Sequence, residues 1–432
     1  MTKMKDSGIE WIGQIPEEYQ IVRIKDISEF INGYAFKSED LNMDEDIPVI
    51  RIGDICENLR FDDCLKHNKL DNLTPFLVKS GDILTAMSGA TVGKNCIVRE
   101  STEAYINQRV GIIRSSLNEY IRLILMTDSF KEYIYLLSNG SAQPNISAEQ
   151  IGAFKITLMK NTKKVTDFLN KKCGEIDRLI EIQEQEIEKL KEYKTSVITK
   201  AVTKGLDDSV SMKDSQVKEL ANIPIKWEIV PFKQVFESGK GLPITKENLT
   251  ETGIKVISYG QIHAKYNKFV EIDDRLFRFV PSNYLQTNKE SLVNKGDFIF
   301  ADTSEDIEGT GNFIHINLED PIFAGYHTII AKNKSNIYSS YYAYLFMSSV
   351  WRHQLRSQVS GVKLFSLTKK LLFNSYIIQP PIDEQYKIVE YLDKKCVAIN
   401  NLILQKQQKI EKLQEYKKSL IYEYVTGKKE VV

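Results

Sequence analysis

The sequence predicts an α+β protein: two globular mixed α/β domains joined by two long helices that pair as an antiparallel coiled coil, pseudo-two-fold symmetric. Three observations predict it. Residues 168–203 (FLNKKCGEIDRLIEIQEQEIEKLKEYKTSVITKAVT) and 391–426 (YLDKKCVAINNLILQKQQKIEKLQEYKKSLIYEYVT) align without a gap at an offset of 223, and 19 of the 36 paired positions are identical. Each copy follows roughly 160–180 residues of different sequence. Those stretches hold short β-branched runs broken by Gly-Asp or Asn, the signature of strands and turns. A helical pattern that recurs after one domain-length marks a duplicated unit, domain then helix, domain then helix.

The order along the chain is therefore a first domain at 1–160, a spacer helix at 161–206, a second domain at 207–379 and a C-terminal helix at 380–428. The domains echo each other weakly. IPEEYQIVRIK (15–25) lines up with IPIKWEIVPFK (223–233), VKSGDIL (78–84) with VNKGDFI (293–299), and RVGIIRSS (109–116) with HTIIAKNK (327–334). The segments between them, such as NGYAFKSED (32–40) and SGKGLPITKEN (238–248), differ.

In the first helix, spacings of four and three residues alternate through Leu169, Cys173, Ile176, Ile180, Gln183, Ile187, Leu190, Lys194, Val197 and Ala201. The second repeats the pattern from Leu392 through Cys396, Ile399, Ile403, Lys406, Ile410, Leu413, Lys417 and Leu420 to Tyr424. A 3.5-residue period held this long argues for a coiled-coil seam. The polar layers recur at the same two places, Gln183 and Lys406, Lys194 and Lys417. Polar seam residues cost stability and fix register and partner. Gly205 and Gly427 follow as stop signals. The simplest partner for each helix is the other; the alternatives are packing on its own domain or pairing between chains. A 36-residue helix is about 54 Å long, or roughly 16 base pairs of duplex.

Composition narrows the function classes. Lys+Arg and Asp+Glu both number 58, so the net charge is zero, which argues against a wholly basic nucleic-acid coat but not against a local basic groove. No run of about 18 apolar residues implies a membrane span, and MTKMKDSGIEWIG lacks a signal-peptide core. Five scattered cysteines suit a reducing cytoplasm better than a disulfide framework. SGATVGKN (88–95) has phosphate-loop character, but its spacing is one residue short and Asn95 stands where Ser or Thr would hold magnesium. QPPI (379–382) does not fit an amino-methyltransferase motif, and no cofactor-type glycine loop follows a strand. Cys64 and His67 have metal-like spacing without a second pair to complete a tetrahedral site. Cys173 and Cys396 read as small core residues, and no nucleophile constellation is present.

Taken together, SGIEWIGQIPEEYQIVRIKDI, the FINGYAFKS loop, the SGDIL turn, the INQRVGII strand and the QPPIDEQYKIVEYLDKK lead into a long helix resemble the specificity subunit of type I restriction–modification enzymes. The resemblance covers the chain in order and in duplicate. It implies a non-catalytic subunit whose two target-recognition domains each read one half of a split sequence in double-stranded DNA. It also implies that the helices form a spacer docking two methyltransferase subunits, joined by restriction/translocase subunits. No cofactor is then expected in this chain; S-adenosylmethionine, ATP and magnesium belong to the partner subunits. One departure stands out: PPIDEQ (380–385) precedes the second helix, whereas TLMKNTKKVTDFL (157–169) lacks the Pro-Pro and Glu-Gln.

Given that resemblance, the DNA-contact candidates are polar and aromatic residues in loops, since Arg or Lys bonds guanine and Asn or Gln bonds adenine in the major groove. In the first domain they are Tyr34, Lys37, Lys94, Asn107, Gln108, Arg109, Gln143 and Asn145. In the second they are Lys240, Lys246, Tyr259, Gln261, His263, Tyr326, His327 and Lys363. Phosphate contacts should outnumber base contacts. Two rivals remain at this stage. One is a coiled-coil adaptor whose domains bind proteins; the other is a single-chain nuclease or methyltransferase, against which the missing motifs weigh.

Overall fold

Each copy of the helical pattern folds as one uninterrupted helix, because neither contains proline and the period never breaks. In the computed structural model, which describes residues 3–56, 59–100, 102–138, 144–220, 222–334, 337–361 and 363–431, these are Thr162–Lys204 and Ile382–Val425. Gly174, the interior glycine of the first, faces open space. Both helices stop at a glycine in the left-handed region, Gly205 (φ +80°) and Gly427 (φ +76°). Each stop is packed on an aromatic ring. A Cβ on Gly205 would lie 3.3 Å from Trp227, and one on Gly427 would lie 2.5 Å from Tyr19. Alanine would meet the φ penalty at both stops, with a clash against Tyr19 at Gly427 and a tight contact against Trp227 at Gly205.

Packing divides the chain into two compact units, Met1–Glu184 with Gln407–Val432, and Gln185–Lys406. Each unit therefore holds one globular half, part of the helix that follows it, and part of the other helix. Within each unit the two helical segments run antiparallel. In the first, Leu169, Cys173 and Ile176 share a core with Leu420, Ile421 and Val425, and the Phe168 and Tyr424 rings are 4.7 Å apart. In the second, Ile198, Ala201 and Val202 share a core with Ile388, Val389, Leu392 and Cys396.

The seam lysines find partners on the facing helix rather than on each other. Lys417 Nζ lies 2.6 Å from Asp177 Oδ1. Lys194 Nζ donates to Asn400 Oδ1 at 2.9 Å. These are matched positions of the repeat (400 − 177 = 417 − 194 = 223), but one lysine faces a carboxylate and the other a neutral amide. Burial accordingly pushes the Lys194 ammonium below its usual pKa. Lys406 Nζ sits 2.5 Å from Glu186 Oε2.

The globular halves repeat in their main elements, and the second adds the strand pair Thr303–Ser304 with Phe365–Ser366 and a fourth strand in its smaller sheet. The first has a hairpin (Met4–Asp6 with Gln14–Pro16) and the antiparallel pair Gln20–Arg23 with Lys155–Leu158. Its four-stranded sheet runs Glu29–Asn32, Val110–Arg114, Ile83–Ala86, Asn95–Ile97. A smaller sheet pairs Ile47–Ile50 in parallel with Tyr105–Ile106 and antiparallel with Lys66–His67. The second half has the hairpin Met212–Asp214 with Asn222–Pro224 and the pair Glu228–Pro231 with Tyr376–Gln379. Its sheet runs Phe236–Lys240, Thr328–Asn333, Phe298–Ala301, Phe313–His315. Here too one parallel pairing, Ile254–Ile257 with Ile322–Ala324, anchors a smaller sheet.

A tyrosine in each half closes the repeat. Tyr120 Oη donates to the carbonyls of Thr157 (2.6 Å) and Val425 (3.1 Å). Tyr341 Oη donates to the carbonyl of Val202 at 3.2 Å. Val202 and Val425 are again 223 apart, so each half satisfies a terminal carbonyl of the helix that follows the other half.

The two helix starts differ. The second helix begins at Ile382, with Glu384 N and Gln385 N both donating to Pro381 O. Gln385 Nε2 folds back onto Pro380 O at 2.9 Å, and the buried Trp227 indole donates to Glu384 Oε2 at 2.7 Å. The first helix begins at Thr162, three positions later in the aligned register (382 − 223 = 159).

Candidate nucleic-acid interface

In the first unit the parallel pairing and the central strand bring distant loops to one edge. Asn107 N donates to Ile50 O, and Tyr34 pairs with Asn107 as an isolated bridge. Gly33 lies so close to the Asn107 carbonyl that no Cβ fits. The turn after Tyr105–Ile106 closes with Val110 N donating to Asn107 O, which projects Gln108 and Arg109 outward. Met87 N donates to Arg109 O, and Ser88 pairs with Asn145. Tyr34, Asn107, Gln108, Arg109 and Asn145 thus share one continuous edge, although up to 111 residues separate them (145 − 34). Tyr34 is exposed and its ring packs edge-on to Phe36 at 5.0 Å. Lys37 is exposed with Glu39 3.8 Å away, an ion pair worth little in solvent. Gln143 lies outside the described residues.

Residues 88–95, the segment with phosphate-loop character, connect strand Ile83–Ala86 to strand Asn95–Ile97 through a short turn at Gly89–Thr91. They lead into a strand, not the helix whose N-terminus cradles phosphate. Lys94 is exposed at a groove of about 660 Å³ that also includes Lys131, Lys417 and Lys418 over an apolar floor of Phe130 and Ile134. Cys64 is buried, which pushes its thiol pKa up to about 12, and His67 Nδ1 bonds Asn68 O. Among the described residues no group of three or more His, Cys, Asp or Glu could hold a metal ion.

The equivalent edge of the second unit is built from different chemistry. Ser258 N donates to Gln261 Oε1, so the Gln261 amide caps the short helix Tyr259–Ile262. The Tyr259, Tyr326 and His327 rings cluster with centroids 5.4–6.1 Å apart. His263 has both ring nitrogens engaged: Nε2 donates to Thr303 O at 2.8 Å, and Nδ1 accepts from Asn312 Nδ2 at 3.1 Å. Asn312 in turn accepts from Arg352 Nη1 at 2.7 Å. Arg352 is buried, and burial first, then nearby Arg356, lowers its pKa to about 9. A guanidinium below its usual range is still charged at neutral pH, so this network holds the 302–312 loop from beneath. His327 is exposed and its Nδ1 lies 3.2 Å from Asp302 Oδ1. Around it is a cleft of about 790 Å³ whose rim carries Glu305, Asp306 and Glu308. Lys363 is exposed beside Leu364 at the tip that precedes Phe365–Ser366. Lys240, at the end of its strand opposite Ile329, and Lys246, in the turn Lys246–Asn248, are exposed away from that ring cluster's own hydrogen bonds.

Asp302 and Asn312 were not among the sequence candidates, yet they orient His327 and His263. No local pattern marks either of them; the equivalence of RVGIIRSS and HTIIAKNK sets only Arg109 against His327. The strand registers agree: Val110 pairs with Ala86 and Thr328 with Ala301.

Two units of one topology, each presenting a polar edge, define a duplicated recognition protein. The chain belongs to the family of type I restriction–modification DNA specificity domains, whose description matches residues 16–192 and again 224–412. It is a specificity subunit of that kind, and DNA target recognition is its function. It is 24% identical over 424 residues to the type I restriction enzyme MjaVIII specificity subunit of Methanocaldococcus jannaschii, covering 96% of this chain and 94% of that one. A putative MjaX specificity subunit of the same organism is also 24% identical, covering 96% and 95%. Among solved structures, a chain from work on complex assembly and conformational transition of the type I R-M system matches with a TM-score of 0.66 at 13% identity. That match covers 95% of this chain and 98% of the other. No helix among the described residues is long and apolar enough to cross a membrane.

Proposed function

We propose that each globular half reads one part of a split DNA target, while the paired helices set the unread gap and dock two copies of a methyltransferase subunit. On this reading the chain catalyses nothing itself. Methyl transfer from S-adenosylmethionine, and ATP- and magnesium-dependent cleavage by restriction/translocase subunits, belong to its partners, in the cytoplasm. The observation that carries the reading is a contrast inside the repeat. The reading edges share a backbone but not side chains, whereas an outward stripe of the helices is the same twice. Gln185, Glu188, Lys189, Glu192, Tyr193 and Ser196 match Gln408, Glu411, Lys412, Glu415, Tyr416 and Ser419, and all twelve are exposed. The spacing of three and four puts each set on one helix face. Packing gives no reason to keep solvent-facing residues identical; a partner binding twice does.

The test is an exchange. Residues 1–160 are replaced by the matching segment of a relative, and the modified sites are mapped after co-expression with the methyltransferase subunit. One block of the recognised sequence should change and the other should stay. A change in both blocks, or in neither, contradicts the modular reading.

A further inference from the structure

The two reading edges place one residue of each half at the same point. Arg109 and His327 each immediately precede the central strand of their sheet. The carbonyl of each accepts from the backbone of the neighbouring strand's outgoing loop: Met87 N to Arg109 O at 2.9 Å, Asp302 N to His327 O at 3.2 Å. Their side chains could hardly differ more. The Arg109 guanidinium makes no hydrogen bond or ion pair with the described residues and is exposed. His327 sits at φ +55°, a left-handed conformation uncommon outside glycine, although histidine is among the residues that adopt it more readily. Backbone strain of this kind persists only when the surroundings hold it and concentrates at functional positions. Here the holding groups are visible. Asp302 Oδ1 lies 3.2 Å from His327 Nδ1, where it can only accept a hydrogen bond, and it also accepts from Thr303 Oγ1 at 2.8 Å. The Tyr259 and Tyr326 rings stand edge-on to the imidazole.

We propose that His327 is the central base-reading residue of the second half, the counterpart of Arg109 in the first, and that the two read opposite hydrogen-bonding characters. A carboxylate can only accept, so the Asp302 contact selects the tautomer that donates from Nδ1 and leaves Nε2 as the lone-pair acceptor. The complementary groups in the major groove are the exocyclic amines, adenine N6 and cytosine N4. Arg109 presents only donors, which suit the O6 and N7 acceptors of guanine. The carboxylates Glu305, Asp306 and Glu308 around the same cleft fit this assignment, because they too accept from amines and disfavour close approach of phosphate. Asp302 acts through His327 and is a positioning residue.

This inference rests on the two-reader function, and the experiment separates the two. The wild-type complex with its methyltransferase subunit is used to map modified sites at pH 8, beside His327→Ala, His327→Gly and Asp302→Ala. Glycine removes the ring while welcoming the positive φ, so it remains informative if the alanine variant folds poorly. A wild-type map lacking two blocks sinks the two-reader function itself. Given two blocks, the expected result is that one base-pair position in the second block becomes degenerate in both His327 variants, with the first block untouched. Discrimination at that position should fall roughly 5- to 150-fold, and Asp302→Ala should relax the same position by less. Unchanged second-block preference in His327→Gly, or degeneracy that appears in the first block instead, overturns the assignment.

Discussion

Replacing Arg114 with methionine is expected to remove about 3–5 kcal/mol from the stability of the first unit. The reason lies in the Gly-Asp turn shared by both halves. Asp82 is 2% exposed, and Arg114 grips it with Nε at 2.9 Å and Nη2 at 2.6 Å. Lys79 N supplies a third bond at 2.7 Å. Methionine would fill much of the space but leave a buried carboxylate without its cation. The double variant Arg114→Met with Asp82→Asn should recover most of the loss, because no charge is then stranded.

The second unit solves the same problem with backbone donors rather than a bonded cation. Its Asp297 is 3% exposed and accepts from Asn294 N and Asn333 N, each at 2.8 Å. Lys332, the counterpart of Arg114, donates to Glu290 O instead. Burial therefore raises the Asp297 pKa above its usual value. A carboxyl with a raised folded-state pKa holds its proton more tightly when folded, so its contribution to stability falls as pH rises through that pKa. Asp297→Asn should remove this fall at the loss of one of two backbone bonds, a net cost of about 1 kcal/mol. Urea unfolding of the full chain checks both. Trp11 reports the first unit, and Trp227 and Trp351 report the second. An Arg114→Met loss no larger than the Asp297→Asn loss would refute this account of the turns.

The second large effect is on the recognised sequence. Seven residues added to each helix, between Glu184 and Gln185 and between Lys406 and Gln407, preserve the seam and lengthen each helix by about 10 Å. The unread gap should lengthen by about 3 base pairs, given 3.4 Å per pair. A two-residue insertion turns the seam by about 200° and should abolish recognition by unpairing the helices. Mapped sites with the original gap, from a folded seven-residue variant, would rule out a spacing role.

What the sequence made legible was whatever repeats locally. The 3.5-residue period located both helices and their polar layers, and the Gly stops marked their ends. The strand echoes were weaker, although MKDS at 4–7 and 212–215 marks the first hairpin of each half. Partner identity was not legible, because it depends on stagger and long loops. Lys406 meets Glu186 only once the antiparallel offset is known. His263 is locked by Asn312, 49 residues away, and His327 by Asp302, 25 away. Trp227 and Glu384 are joined across 157 residues. The gathering of Tyr34, Asn107, Arg109 and Asn145 follows from the bridges of Tyr34 with Asn107 and of Ser88 with Asn145 and from the bond of Met87 N to Arg109 O, which no local pattern announces.

The central claim is that one chain holds two readers at a fixed separation. The most direct measurement is co-expression of the wild-type chain with its methyltransferase subunit, followed by mapping every modified base in the host genome. Two short specific blocks flanking a gap of constant length and variable sequence are the predicted result. A single uninterrupted block, or a soluble complex that modifies nothing and shows no salt-dependent affinity for DNA, would contradict it.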